Sequence, residues 1–361
     1  MVSIKPLHGL ASALMEGVGE PSLLLDGTAS PHGYSLRPSE ARALSDAELI
    51  FWVGPTLETF LIQPLDSLAE KADVVTAGDL RGLVLLEARE GGLWEGHDHE
   101  AHAHEGHHDD DDHDEHGHEA HHDEEEHEEH ADETHHDDDH DEHGDEAHHD
   151  EDEHEEHAHE AHHDDDHDEH GDEAHHDEDE HAAHEDETHI DPHIWLDPEN
   201  AVLIANAMAA ALVKADPENA ARYQSNLAAL ESSLEDLDRE LAASLAAVNQ
   251  QPYIVFHDAY RYFEEHFGLS PVGSISVSPE QRPGARRIAE IRDLVQERGA
   301  VCIFSEPQFS PVVIESIAEG SDIGGGTLDP LGAAVDKGPG AYQEVMLSLA
   351  RGLIDCFAVS E

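Results

Sequence analysis

The stretch DPENAARYQSNLAALESSLEDLDRELAASL, residues 216–245, carries an apolar side chain at every third or fourth position. This spacing places the apolar side chains on one face of a single long helix. Asp216 suits the N-cap position and Pro217 the first helical turn. If the helix continues to about residue 249, it is about 48 Å long, which is long for one domain and suits a spine shared by two. The apolar series is Tyr223, Leu227, Leu230, Leu234, Leu237, Leu241 and Leu245.

Short apolar runs alternate with helical patterns on both sides of this helix. This alternation is typical of parallel sheets covered by helices. Predicted strands are 3–6, 21–26, 49–53, 72–76, 253–256, 272–277 and 301–305, and predicted helices are 7–17, 37–46, 198–214, 285–297, 311–319 and 341–356. The sequence therefore predicts an α/β fold with an N-terminal lobe at 1–215, a linking helix at 216–249 and a C-terminal lobe at 250–361.

Residues 97–189 form a tract with 31 His and 46 Asp or Glu and with no Lys or Arg. Residues 135–154 recur identically at 162–181, so the tract contains a repeat. It has no Leu, Ile, Val, Phe, Tyr or Trp, so it cannot bury enough apolar surface to offset the entropy of ordering. We expect a disordered loop inserted into the N-terminal lobe, because closing a long loop costs little stability.

The formal charge of −69 argues against nucleic acid and anionic lipid as partners, since phosphates would repel the chain. Cations are the natural ligands of such a surface. No run approaches the roughly 20 apolar residues of a membrane span, and no secretory hydrophobic segment is present. The chain begins directly on a predicted core strand, so we expect a mature protein from which a signal peptide has been removed.

Three histidines stand beside rigid turn residues: His32, His193 and His257. His257 directly follows a predicted strand, and ligands of α/β sheets bind beyond the carboxyl ends of strands. Asp329, in the turn GTLDPLG at 326–332, offers a carboxylate. Three imidazoles and one oxygen form a ligand set for Zn²⁺, whereas Mn²⁺ prefers more carboxylate oxygens. Taken singly, each of these histidines is more often a turn residue than a ligand.

Other polar and aromatic residues have simpler interpretations. We expect His8 and His266 to be packing or surface residues, and Tyr34, Trp195 and Tyr260 to pack around the candidate site. The two cysteines, Cys302 and Cys356, would form one disulfide between a core strand and the last helix in a secreted protein. In a cytosolic protein they would be two small buried side chains.

Five motifs in this order are similar to those of a known family. They are SPHGYSLRPS (30–39), HIWLDP (193–198), FHDAYRYF (256–263), FSEPQF (304–309) and GTLDPLG (326–332). They resemble the periplasmic zinc-binding components of bacterial ABC transporters, the ZnuA-like branch of the cluster A-I solute-binding family. The resemblance covers nearly all of the chain outside the tract.

The resemblance implies two α/β lobes joined by one long helix, with the metal site in the cleft between them. It makes His32, His193 and His257 the metal ligands, with Asp329 or water as the fourth. Pro31 precedes the first histidine here, so the Glu that some members use at that position is not available. The resemblance also implies the Cys302–Cys356 disulfide, and the delivery of Zn²⁺ to an ABC permease by a periplasmic monomer that is not an enzyme.

The tract has two interpretations. Neutral neighbouring histidines chelate metal weakly, so we expect auxiliary zinc capture; alternatively, the tract is a solvated segment that merely tolerates metal. The candidate auxiliary ligands are His97, His99, His102, His104, His107, His108, His148, His149, His175 and His176.

Two other functions compete with transport. A zinc hydrolase could use three histidines and an open coordination position, but the chain has no HExxH motif, and Glu306 is the best candidate for a base, although a supporting role for it is simpler. A freestanding zinc buffer or chaperone would make the tract the main binding element.

Overall fold

The structure is a computed structural model that describes residues 1–89, 189–276, 283–319, 321 and 323–359. The predicted disordered loop and its ten candidate auxiliary ligands, from His97 to His176, lie outside the described residues. The α/β fold class predicted from the sequence is confirmed, with one parallel four-stranded sheet in each lobe.

The N-terminal sheet has the strand order β2-β1-β3-β4, and all of its strands are parallel. Its strands are β1 (Val2–Ile4), β2 (Leu23–Leu25), β3 (Leu49–Trp52) and β4 (Asp73–Thr76). The helices between these strands are α1 (Lys5–Leu14), α2 (Pro38–Ser45) and α3 (Ile62–Leu68). The buried apolar residues of β1 and β3 lie in the core beneath them.

The C-terminal sheet repeats this arrangement, since its order β6-β5-β7-β8 again places the second strand of the lobe at one edge. Its strands are β5 (Pro252–His257), β6 (Ser270–Ser276), β7 (Cys302–Ser305) and β8 (Gly324–Thr327). Its helices are α6 (Arg261–Phe267), α7 (Ala285–Arg298), α8 (Val312–Ala318) and α9 (Ala341–Val359). The disulfide between Cys302 and Cys356 joins β7 to α9, as the family resemblance implied.

Strand β8 was predicted as a glycine-rich turn. Its three glycines suit an edge strand in close contact with a neighbour, because a Cβ at Gly326 would lie 2.5 Å from the ring of Phe304. A small residue is therefore needed for this strand to pair with β7, and propensity alone does not reveal the strand.

Two helices precede the C-terminal sheet: α4 (Pro198–Ala215) and α5 (Ala220–Leu245). Helix α5 is the predicted spine, but it has 26 residues and a length of about 39 Å, shorter than predicted. Pro217–Asn219 form a separate 3₁₀ turn, and the Asp216 side chain accepts hydrogen bonds from the side chains of Asn219 and Tyr223. Asp216 therefore does not cap the backbone of α5.

Helix α5 packs against α1 and α4 of the N-terminal lobe and against α6 and α9 of the C-terminal lobe. All of its predicted apolar positions are buried except Leu227, which is half-buried. The last helix, α9, also contacts α1, and a Cβ at Gly9 would lie 2.5 Å from the backbone nitrogen of Tyr342. Two helices therefore connect the lobes by close packing. None of the described helices combines the length and apolar character needed to span a membrane.

Candidate metal centre

The three predicted histidines meet at one point. His257 is the last residue of β5, His193 precedes the 3₁₀ turn Ile194–Leu196, and His32 lies in the loop between β2 and α2. One candidate ligand atom from each of the three lies within 4.8 Å of the others. The ring centroids are 5.4 Å apart for His32 and His193, 6.0 Å for His32 and His257, and 5.4 Å for His193 and His257. Their role as metal ligands remains a prediction.

Two of the rings are held by carboxylates. His193 Nδ1 donates to Asp191 Oδ1 at 2.7 Å, and His257 Nδ1 donates to Glu306 Oε1 at 2.6 Å. Both contacts are almost fully buried. Because Nδ1 is used in this way, Nε2 is the nitrogen that remains for a ligand. Within the described part of the chain, Nε2 of His32 and of His257 is buried and has no hydrogen-bond partner.

The role of Asp191 was not predicted, although its position two residues before His193 was a usable signal. For Glu306, a supporting role was preferred to that of a base, and its contact with His257 agrees with that preference. It lies 49 residues from His257, and only the pairing of β5 with β7 brings the two together.

The site favours neutral imidazole at His32. Burial, and then the nearby His193 and His257, lower the pKa of His32 to about 2. At His257, burial also lowers the pKa, but the Glu306 carboxylate outweighs it, so that the pKa of His257 is raised. The pKa values of His32 and His257 are therefore shifted in opposite directions.

Asp329 lies outside the three-histidine cluster. Its Oδ1 accepts from the backbone nitrogens of Leu331 and Gly332 at 3.1 and 3.0 Å, and its Oδ2 accepts from that of Ala333. These contacts hold the turn that follows β8. Metal ligation by Asp329 remains a prediction, and among the described residues that line the cavity of the three histidines Asp329 is not included.

The other histidines and aromatic residues that the sequence singled out have contacts of their own. His8 Nε2 contacts the carbonyl of Pro21 at 2.9 Å, and His266 Nε2 contacts Asp238 at 2.8 Å. Trp195 donates to the carbonyl of Pro330, and the Tyr260 ring packs 6.4 Å from that of His257. Tyr34 donates to Glu40.

The three histidines line a cavity of about 10 Å³ together with Pro31, Glu306 and Gln308. This volume suits one small ion or one water molecule. A larger cavity of about 700 Å³ is lined by Asp336, Lys337 and Glu344 among others and contains none of the three histidines.

Two segments on either side of the His-rich tract pair next to this centre. Ala88 donates to the carbonyl of His189 and Asp191 to that of Leu86, so that 86–88 and 189–191 form a short antiparallel ladder. Arg89 contacts Asp258 at 2.9 Å and Glu264 at 2.7 Å. The ladder therefore ends at the carboxylate that holds His193.

Comparison with known proteins agrees with this architecture. The family model of the zinc-uptake complex component A, periplasmic, matches residues 1–356. The high-affinity zinc uptake system protein ZnuA of Brucella suis biovar 1 (strain 1330) is 45% identical over 358 residues, which cover 99% of this chain and 91% of that protein. The protein of the same name from Yersinia pestis is 33% identical, with 99% and 90% coverage.

Solved structures share the fold. A crystal structure of ZnuA superposes with a TM-score of 0.65 at 22% identity, covering 98% of this chain and 97% of that one. The periplasmic zinc-binding protein TroA from Treponema pallidum gives 0.61 at 16% identity, with 98% and 97% coverage. From the family model and the curated relatives, this chain belongs to the ZnuA family, the periplasmic component A of zinc-uptake complexes.

Proposed function

We propose that this protein binds one Zn²⁺ through His32, His193 and His257 and delivers it to the membrane permease of an ABC transporter for zinc import. The observation that carries the proposal is the convergence of three imidazoles, two of them held by buried carboxylates, on a cavity of about 10 Å³. Neutral imidazoles at this spacing fit Zn²⁺. The names of the curated relatives, which are zinc uptake proteins, support the same cargo.

Water is the fourth ligand that we favour over Asp329. Both oxygens of Asp329 already accept hydrogen bonds from the turn at 331–333. We expect Asp329→Asn to change zinc affinity much less than loss of any of the three histidines does.

We propose that the protein performs no chemistry on a substrate. A hydrolase would need a free base beside the bound water, and Glu306 instead accepts a hydrogen bond from His257. An assay of ester and peptide hydrolysis with zinc bound should give no rate above background.

We also propose that the protein is a periplasmic monomer from which a signal peptide has been removed. For the tract at 97–189 we propose auxiliary zinc capture. The pairing of 86–88 with 189–191 supports the capture role, because it places the described segments on either side of the tract next to Asp191, which holds His193. A buffer in which the tract is the main store is the second candidate. It predicts that the three cleft histidines are dispensable.

A zinc titration against a competing chelator tests the proposal, comparing the wild type with the His32→Ala/His193→Ala/His257→Ala variant. We expect the variant to lose one tight site and to keep only weak ones. If both proteins titrate alike, the tract is the zinc store and the proposed transport site is wrong.

A further inference from the structure

Gln308 follows β7 and lines the same cavity as the three histidines. Its Nε2 donates to the carbonyl of Gly27 at 2.7 Å and to Asp329 Oδ1 at 2.9 Å. Both partners are acceptors, so each takes one of the two N–H groups of the amide. If the amide were turned over, its oxygen would face two other oxygens. The orientation of the Gln308 side chain is therefore decided by its partners.

This orientation leaves the amide oxygen with nothing to accept. Gln308 Oε1 is buried and has no hydrogen-bond partner in the described part of the chain, as is true of Nε2 in His32 and His257. Buried polar atoms almost always have partners, so three such atoms on residues that line one small cavity point to a bound group. The imidazole nitrogens suit a cation, whereas an amide oxygen beside them suits a hydrogen-bond donor attached to that cation.

We propose that Gln308 is a positioning residue whose Oε1 accepts a hydrogen bond from the water that completes the coordination of zinc. This inference rests on the proposed function. Three imidazoles leave a fourth position on tetrahedral zinc, and a water there has protons to donate. A neutral amide accepts a hydrogen bond without removing the proton, so it holds the water in place and does not turn it into a nucleophile. This property suits a carrier rather than a hydrolase.

The two N–H groups of Gln308 have a second effect. Gly27 begins the loop that carries His32, and Asp329 holds the turn after β8, so the amide connects the loop of the N-terminal lobe to the turn of the C-terminal lobe. Gly27 has a φ of 90°, and a Cβ there would lie 2.8 Å from the carbonyl of Leu331, so the two segments are already in close contact. The experiment must therefore separate the effect of the Oε1 contact with water from the effect of connecting the loop to the turn.

Affinity alone reports both effects, whereas the coordination of the metal reports the water contact. Gln308→Met removes both the oxygen and the donors at similar size. Gln343→Met is the matched control, because Gln343 Oε1 is also buried without a partner but its Nε2 donates to Ser233, away from the cavity. Zinc affinity is measured by chelator competition, and the coordination of the metal by the visible spectrum of the Co²⁺ form.

We expect Gln308→Met to bind zinc about tenfold more weakly and to change the Co²⁺ spectrum, as loss of one hydrogen bond to a metal-bound group predicts. Gln343→Met should match the wild type in both measurements. If Gln308→Met does not fold, Gln308→Asn withdraws the oxygen by one methylene, and it should show the same weakening and spectral change.

Wild-type affinity and an unchanged Co²⁺ spectrum in the variant that removes or withdraws the oxygen would overturn the inference. It would also be overturned if the variant lost affinity with an unchanged Co²⁺ spectrum, since the amide would then act only by connecting the loops. Failure of the proposed function is distinguishable from both results. In that case the wild type and the triple histidine variant would titrate alike, with no tight site in the wild type.

Discussion

Two carboxylates hold two of the three histidines at the metal centre. Their hydrogen bonds to Nδ1 leave Nε2 as the nitrogen available to a ligand. Asp191 and Glu306 each accept from an Nδ1 and are themselves buried. Such partners fix the tautomer and the direction of the ring and raise the basicity of the ligand. The site is therefore pre-organised before any ion arrives.

Glu306→Gln should weaken zinc binding by about 10-fold to 100-fold, because an amide at this position is a poorer acceptor for the Nδ1 proton of His257. Chelator competition measures the change. Glu297→Gln, on an exposed face of α7, is the control and should bind as the wild type does. Equal affinity in all three proteins would show that Glu306 does not support the ligand.

Zinc affinity should depend on pH through His257. Since its pKa is raised, protons compete with zinc at a higher pH than they would for an ordinary histidine, whereas His32, with a pKa of about 2, stays neutral. We expect the affinity to fall as the pH drops through the pKa of His257, by about tenfold per pH unit for each proton taken up. Titration from about pH 8 to about pH 5 tests this range, and constant affinity across it would contradict a three-histidine site.

At the scale of the elements, Glu58 connects the first and third strands of the N-terminal sheet. It is 0% exposed, and it accepts from the backbone nitrogens of Val53 and Gly54 at 2.9 and 2.8 Å and from the hydroxyl of Ser3. Burial raises the pKa of this carboxyl to about 7, although these hydrogen bonds oppose the shift. The folded chain therefore holds the Glu58 proton more tightly than the unfolded chain does.

This difference makes the stability of the metal-free protein depend on pH. Between the unfolded value near 4.5 and the folded value near 7, only the folded chain binds the proton, so the free energy of unfolding should fall as the pH rises. Glu58 accounts for at most about 3 kcal/mol of this fall. Urea titrations across this range should give a flatter pH dependence for Glu58→Gln than for the wild type, and the exposed control Glu235→Gln should leave it unchanged. An equal slope in Glu58→Gln would contradict the raised pKa.

Helices α5 and α9 limit how the lobes can move. Each packs against elements of both lobes, and α5 buries an apolar face along its length. Separating the lobes widely would expose these faces, at a cost of about 25 cal/mol per Å² of apolar surface. We therefore expect metal release through movement of local segments, such as the loop with His32, rather than through a wide hinge opening.

At the scale of the whole molecule, the ladder at 86–88 and 189–191 connects the described segments on either side of the His-rich tract. The ladder and the metal centre lie in the same compact unit as the described parts of both lobes. The centre therefore has its own scaffold of strands, helices and carboxylates.

Replacing residues 97–188 with a short Gly-Ser linker should leave one tight zinc site, with affinity within about threefold of the wild type. The ladder pairs Glu87 with Ile190, so residues 88–96 and a short linker have only a short distance to span. Calorimetric titration should show loss of the weak sites only. Loss of the tight site would mean that the tract contributes to the transport site itself.

Much of the fold follows from local pattern. The apolar spacing at 223–245 specifies a long helix, and the alternation of strands and helices specifies parallel sheets, because both depend on residues close together in the chain. The three histidine motifs are also local, since each combines a ligand with the turn residues that hold it. For this reason the fold class could be predicted from the sequence, whereas local pattern left each histidine more often a turn residue, and the resemblance of five motifs to a known family singled out the three.

Tertiary packing decided the rest. Strand β8 can pair with β7 because Gly326 has no side chain to clash with Phe304. Helix α5 begins only after a 3₁₀ turn in which Asn219 donates to Asp216. The carboxylate for His257 comes from 49 residues away, and Gln308 reaches a carbonyl 281 residues away. Asp329 is part of a ligand-like motif, yet its oxygens bind the backbone of its own turn. These contacts depend on how distant segments approach one another, and no local spacing encodes that approach.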